Sequence, residues 1–317
     1  MHYLAGRLIW IGCDFVAAAT KKRKGSALQR RENMAGYAFI SLNFVGYVAF
    51  KLIPLILALI LSFADWNFIS GWENIKFVGI DNYLKLPSDP IFIDSLINTI
   101  IYAIVLVPVS IFIALVFAVI LNDNVYGKGI LRLAYYLPNV SSMVAVSIVW
   151  MVLFLPSYGP INQFLMSIGI ENPPRWLNGS STSLLSIIIV GVWQSIGYNI
   201  IIVLAGLQGI SKSLYESAEI DGANAVQKFF YITIPSLSST MFFLTMISII
   251  RSFQVFTPVQ VMTSGGPGNS SSVLVYYIYT TAFRHSNIGY ASAMSWVLFA
   301  LVFVFAAARM IAERKSK

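Results

Sequence analysis

The sequence predicts an all-α integral membrane protein: six transmembrane helices, with a charged helical loop on the cytoplasmic side. Three observations carry this expectation. Hydrophobic residues make up 57% of the 317 positions and charged residues only 11%, whereas a soluble domain carries about a quarter charged residues. Six apolar segments, at about 35–63, 95–121, 132–155, 183–207, 236–261 and 289–311, each reach or exceed the length that crosses a bilayer core. Helix is the default there, because each backbone polar group must be satisfied within its own segment. The third observation is the placing of the 21 Lys and Arg residues. Most fall in the N-terminal region, the second and fourth loops and the C-terminus. The first, third and fifth loops hold only Lys76, Lys85, Arg175 and Arg284, and Lys51 and Arg251 lie inside spans. By the positive-inside rule both termini and the fourth loop are cytoplasmic.

The same composition excludes several classes. Cys13 is the single cysteine, so neither a disulfide framework nor a Cys-rich metal site is available. His2 and His285 are far apart in sequence, and no His-based metal site is expected. The net charge of +8 is explained by basic residues gathered on one membrane face, with no nucleic-acid partner needed.

Residues 1–20 are apolar but short, and they carry Arg7 and Asp14. A secretory signal has its positive charges before the apolar run, whereas Lys21-Lys22-Arg23-Lys24 follow it. Residues 1–33 therefore read as a cytoplasmic or interfacial extension, amphipathic or weakly ordered, and 34–317 as the membrane domain. Lys51 and Pro54 interrupt the first span, which predicts a kink or a helix end near the interface.

Between the fourth and fifth spans lies 211–235, SKSLYESAEIDGANAVQKFFYITIP. Ser213 and Glu216 have the spacing of a capping box at a helix start. Asp221-Gly222 ends that helix, because glycine takes positive backbone angles without penalty. A second short helix is expected from about Ala223 to Tyr231, ending before Pro235. An ordinary connecting loop accounts for these features equally well.

Polar groups inside spans are costly and are functional candidates by default. On the fourth span Gln194, Ser195, Tyr198 and Asn199 fall within about one and a half turns. On the fifth, Ser248, Arg251, Ser252 and Val255 share a face. Helix–helix hydrogen bonding is the alternative role for the Ser and Asn residues.

Glu216-Ser217-Ala218, then Gly222, then Ile232-x-Ile234-Pro235 resembles the EAA loop of the membrane subunits of binding-protein-dependent ABC importers. Ser217 and Ile234 depart from the family's usual alanine and leucine, while the full spacing is kept. The resemblance implies that this loop is a coupling helix seated in a cleft of a cytoplasmic ATPase subunit. Its coupling residues would be Glu216, Ser217, Ala218, Asp221, Gly222 and Ala223. Further pieces resemble the sugar permeases of that family: Phe77-Val78-Gly79-Ile80-Asp81-Asn82-Tyr83, Tyr158-Gly159-Pro160-Ile161-Asn162, Trp176-Leu177, Ser252-Phe253-Gln254-Val255-Phe256 and Thr263-x-Gly265-Gly266-Pro267. Together the likeness covers about residues 35 to 312, and it favours the maltose and multiple-sugar group.

That resemblance implies a transport subunit and not an enzyme, in a bacterial plasma (inner) membrane. Its implied partners are a second homologous permease in a heterodimer, two ATPase subunits, an extracytoplasmic sugar-binding protein and membrane lipid. ATP and Mg would be bound by the ATPase and no cofactor by this chain. In keeping with this, the chain has no phosphate-binding loop, since Gly127-Lys128-Gly129 lacks the first glycine at the required offset. Laid on the family's maltose permease, Gln194, Ser195 and Tyr198, with Ser248, Arg251, Ser252 and Val255, take sugar-lining positions; only Tyr198 keeps the residue type. Asn199 joins them on the same polar face. An aromatic platform with hydrogen-bonding neighbours suits a sugar. Arg251 has two readings: binding an anionic group such as a uronate carboxylate, for which its fork is suited, or a salt bridge to an acid of a partner permease.

Two rival classes are weaker. A membrane-embedded enzyme needs acid, base or metal-binding residues converging at one depth, and the acids here are scattered in loops. An ATP-independent secondary transporter of a small polar solute would want an intramembrane acid or ion site and internal repeats. Neither explains the spacing from Glu216 to Pro235.

Overall fold

The computed structural model describes residues 27–122 and 127–316, in two units, Met1–Leu57 and Ala58–Lys317. The expectation for residues 1–20 lies outside the described residues. From the first unit α1 (Ala27–Tyr47) passes through a wide turn at Val48–Leu52 into α2 (Ile53–Ser62), whose residues from Ala58 on are counted in the second unit. The kink expected at Pro54 takes the form of a π turn. The Ile53 N–H reaches five residues back to the Val48 carbonyl. The wider turn gives room to the proline ring, which in a regular α turn collides with the carbonyl four residues earlier.

After α2 the second unit continues with a two-stranded antiparallel pair, β1 (Ala64–Asp65) and β2 (Lys76–Phe77), followed by α3 (Asp81–Lys85). Asn82 is buried and donates to the Ser62 and Ala64 carbonyls at 3.0 and 2.9 Å, and the Tyr83 hydroxyl donates to Ser62 Oγ at 2.7 Å. The 77–83 motif thus satisfies the last carbonyl of α2, which has no helical partner, and one carbonyl of β1. Next comes α4 (Pro90–Asn122), 33 residues, about 50 Å at the helical rise. It starts earlier than residue 95 because Asp89 Oδ1 accepts from the N–H groups of Ile91 and Phe92 at 3.0 and 3.2 Å. The other carboxylate oxygen of Asp89 accepts from the hydroxyls of Tyr277 and Tyr290.

The third apolar segment is not one straight span, contrary to the expectation for 132–155. It forms α5 (Lys128–Val140) and α6 (Met143–Leu153), bent by 97° at Ser141-Ser142. With 13 and 11 residues, neither arm alone reaches the span length. Pro138 removes one helical donor in the last turn of α5, and the extended backbone at Ser141 and Ser142 completes the break.

After α6, α7 (Pro160–Ser167) carries Asn162, 1% exposed. Its amide donates to the Pro156 and Pro174 carbonyls, and its Oδ1 accepts from the Trp176 indole at 2.6 Å. One side chain therefore closes the 158–176 loop. Asn162→Ala should lower stability by about 1–3 kcal/mol through stranded polar groups. A thermal melt in detergent checks this, and an unchanged Tm would refute it.

The long α8 (Ser183–Gln208) leads into α9 (Lys212–Ile220) and α10 (Ala225–Lys228), then a π turn at Phe229–Thr233 and α11 (Ile234–Ser236). Contrary to the expectation from sequence, the helical path does not end before Pro235. The Ile234 N–H bonds to the Phe229 carbonyl, repeating the device at Pro54. The fifth span runs through Ser238–Met262 but is interrupted, with α12 (Ser238–Phe253) and α13 (Thr257–Met262) separated at Gln254 to Phe256. The chain ends on α14 (Leu274–Tyr279), a π turn at Thr280–Arg284 and α15 (Ile288–Ser316). Among the described residues, five helical stretches are long and apolar enough to cross a membrane, and six if the bent α5–α6 pair counts as one.

The main core lies where α4 meets α8 and α12, with Tyr102, Leu106, Ala114 and Ala118 against Ile187, Val203 and Leu244. Lipid is as apolar as leucine, so close packing and interhelical hydrogen bonds hold such helices together. Small residues on α4 allow the approach. The Asn199 amide donates to Ser110 Oγ at 3.2 Å across it, a bond of the kind that averages about 0.6 kcal/mol.

Candidate functional site

Both interruptions in the helices meet at one place. A cavity of about 200 Å³ is lined by Asn139 and Met143 on either side of the α5–α6 break, and by Arg251, Ser252, Val255, Phe256, Thr257 and Pro258 around the α12–α13 break. From α8 come Gly191, Gln194 and Ser195, and from α4 Tyr102 and Leu106. Irregular backbone at membrane depth is tolerated where it is buried in protein or lines a wet cavity, so the two breaks and the cavity explain each other.

Arg251 dominates the chemistry. Its guanidinium carbon stands 4.4 Å from the centroid of the Tyr198 ring, a cation–π contact. It sits in the last turn of α12, where the helix dipole favours positive charge. No carboxylate among the described residues pairs with it; the one ion pair among them joins Lys228 and Glu219, at 2.7 Å. Gln194 offers an amide with no partner among the described residues. The hydroxyls of Ser195 and Ser252 are engaged with their own helices, at the Gly191 and Ile249 carbonyls.

Of the eight polar-face residues singled out by sequence, Gln194, Ser195, Arg251, Ser252 and Val255 line this cavity, and Tyr198 backs it through Arg251. Two do not line it. Asn199 is buried against α4 on Ser110, one position too far round α8. Ser248 is buried one turn before Arg251. Tyr102, Asn139 and Thr257 do line it without having been singled out. A lone tyrosine in an apolar run carries no pattern, but Pro138-Asn139 followed by two serines was a legible signal of irregular backbone.

A second candidate surface is the connection between α8 and α12. Ser211, not Ser213, takes the N-cap position of α9, and the expected Ser213–Glu216 box is not formed; the two serine hydroxyls bond to each other at 2.8 Å. The reciprocal box is instead Asn224–Gln227, at the start of α10. The end of α9 is a Schellman turn. The Ala223 N–H reaches the Ala218 carbonyl at 2.8 Å, the Gly222 N–H reaches Glu219 at 3.1 Å, and Gly222 has φ +79°. Glu216, Ser217 and Asp221 are exposed, Ala218 and Ala223 half-buried, and the Glu216 carboxylate has no partner among the described residues. Ile220, 88% exposed, and Tyr231 present large apolar surface beside them. The Lys228–Glu219 pair and the Tyr215–Thr233 hydroxyl bond brace α9 against the following turn.

This architecture and these two surfaces define an integral membrane transport subunit. Residues 88–317 match the family described as the inner membrane component of binding-protein-dependent transport systems, and the chain belongs to that family. It is 38% identical over 88% of its length to 90% of the probable ABC transporter permease YesP of Bacillus subtilis. It is 36% identical over 92% of its length to 98% of the lactose transport system permease LacF of Rhizobium radiobacter. In fold it is similar to a chain of a bacterial ABC transporter involved in the import of the acidic polysaccharide alginate, with a TM-score of 0.78 over 90% of this chain and 96% of that one at 22% identity.

Proposed function

We propose that this chain is the permease subunit of an ATP-driven, binding-protein-dependent importer of oligosaccharides, among which acidic, uronate-containing ones are favoured. The observation that carries this reading is the cavity between the two helix breaks, with the Arg251 guanidinium over Tyr198 and no acid among the described residues paired with it. The lactose permease among its relatives supports a carbohydrate cargo. The substrate set is Gln194, Ser195, Tyr198, Arg251, Ser252 and Val255, with Asn199 and Ser248 behind it. Residues 1–33 are an extension and 34–317 the permease domain.

The excess of Lys and Arg on alternate loops supports cytoplasmic termini and a cytoplasmic α9. There α9 would dock in a cleft of one ATPase subunit through Glu216, Ser217, Ala218, Asp221, Gly222 and Ala223. The exposed Glu216 and Ile220, on a helix braced through Tyr215 and Glu219, suit a rigid lever. ATP and Mg belong to the two ATPase subunits, a second, different permease completes the pathway, and a soluble receptor delivers the sugar. ATP binding would rock the helices outward and hydrolysis would reset them, a switch between two rigid states.

Purifying the chain from its native membrane in mild detergent, with mass spectrometry of what accompanies it, tests the reading. A second permease and an ATPase are expected. Gly222→Val puts a branched side chain at positive φ and unwinds the Schellman turn. Together with Glu216→Ala, it should reduce receptor-stimulated ATPase activity at least tenfold while the chain still folds. A chain that purifies alone and moves solute without ATP would overturn the proposal.

A further inference from the structure

Tyr102 stands on α4, a different helix from the two whose polar faces the sequence marks. Its side chain is 4% exposed, and its ring packs in the main core. The hydroxyl lies against bare backbone: a Cβ on Gly191 would collide with it, and would also come within 2.6 Å of Leu106 Cδ1. Absence of that Cβ lets the Tyr102 ring advance to the cavity wall. The hydroxyl makes no hydrogen bond to any described residue, yet it is not sealed from the cavity that Tyr102 lines. Buried tyrosine hydroxyls normally find a partner, because an unpaired one in an apolar interior is costly. Here the partner must come from the cavity itself.

We infer that Tyr102 is a specificity-determining residue of the pathway, its hydroxyl hydrogen-bonding a neutral hydroxyl or ring oxygen of the passing sugar. This rests on the carbohydrate reading above and assigns a separate task to a separate helix. Arg251 on α12 answers to charge, whereas Tyr102 on α4 answers to the position of an uncharged oxygen. Gly191 is its enabling neighbour. Any larger residue there pushes the ring back and withdraws the hydroxyl.

The test uses the whole importer, with its receptor, second permease and ATPase, in proteoliposomes. The probes are lactose, lactose analogues each lacking one hydroxyl, and an alginate trisaccharide. Tyr102→Phe keeps the ring and removes only the hydroxyl. Half-saturation of uptake should rise about three- to tenfold, the loss of one neutral hydrogen bond, with Tm not lowered. Gly191→Ala should raise it similarly by displacing the ring. One deoxy analogue should be penalised in the wild type and not further penalised in Tyr102→Phe, the coupling expected of a direct contact. The receptor is common to both importers, so its own preferences cancel in that comparison. Unchanged half-saturation in Tyr102→Phe, or equal penalties for every deoxy analogue in both proteins, overturns the assignment alone. A wild-type importer that takes up neither lactose nor the trisaccharide overturns the carbohydrate reading, and this assignment with it.

Discussion

Replacing Gly197 by alanine will cut the yield of folded, monodisperse protein about tenfold or more. On α8, Gly197 faces the backbone of α5. An added methyl would fall onto the Tyr135 carbonyl and lie 3.0 Å from Tyr136 Cα. A flexible side chain could turn away from such an intruder, but a peptide group in a hydrogen-bonded helix cannot. Overpacking into a well-packed core costs about 1–3 kcal/mol even where side chains can shift, and 1.4 kcal/mol is already tenfold in the folded ratio. The α5–α8 contact also carries Asn139 to the cavity, so the molecules that do fold should transport poorly. Gly129→Ala is the control. It sits on α5 with open space around its would-be Cβ, and alanine favours helix there. Detergent size-exclusion profiles of the two variants decide the matter. Equal wild-type yields for both would show that α5 and α8 are not in backbone contact.

Most of the fold was legible because membrane insertion reduces the problem to length, hydropathy and loop charge. Five of the six apolar segments are long helical stretches. The 97° bend between α5 and α6 escaped that reading because hydropathy is averaged over a window. Ser141 and Ser142 are too few to lower it, and the helix runs on through Pro138. The π turns before Pro54 and Pro235 escaped for a related reason. Proline announces a disturbed turn, but whether the helix ends or widens depends on room that only the packed structure supplies. In the cavity, the α8 and α12 faces followed from helical periodicity, whereas Tyr102 needed knowledge of which helix packs on α8. Asn199 illustrates the converse. It shares the polar stripe with Gln194 and Ser195, but the rotation of α8 turns it into the seam with α4. Periodicity finds a face to within about one residue and cannot say which edge of it is wet.

Arg251→Gln will lower uptake of an acidic oligosaccharide such as an alginate trisaccharide about tenfold to a hundredfold, and change lactose uptake by less than about threefold. An arginine at the centre of a span costs about 2.5–3.5 kcal/mol on insertion scales. Part of that is offset here by the α12 dipole and by the Tyr198 ring. Neither neutralises the charge, and no acid among the described residues does so. On the proposed reading the acidic sugar supplies the anion, and a hydrogen bond to a charged group is worth about 1.5–3 kcal/mol, which sets the expected range. Glutamine is shorter but keeps an amide with two donors, and it loses the charge. Arg251→Lys keeps the charge as a compact point without the planar fork that fits a carboxylate, and should fall between. The competing source of that anion would be an acid on the proposed second permease. In that case Arg251→Gln would lower neutral and acidic uptake alike and loosen the permease pair on size exclusion. Undiminished uptake of the acidic sugar by Arg251→Gln would remove the guanidinium from the substrate path altogether.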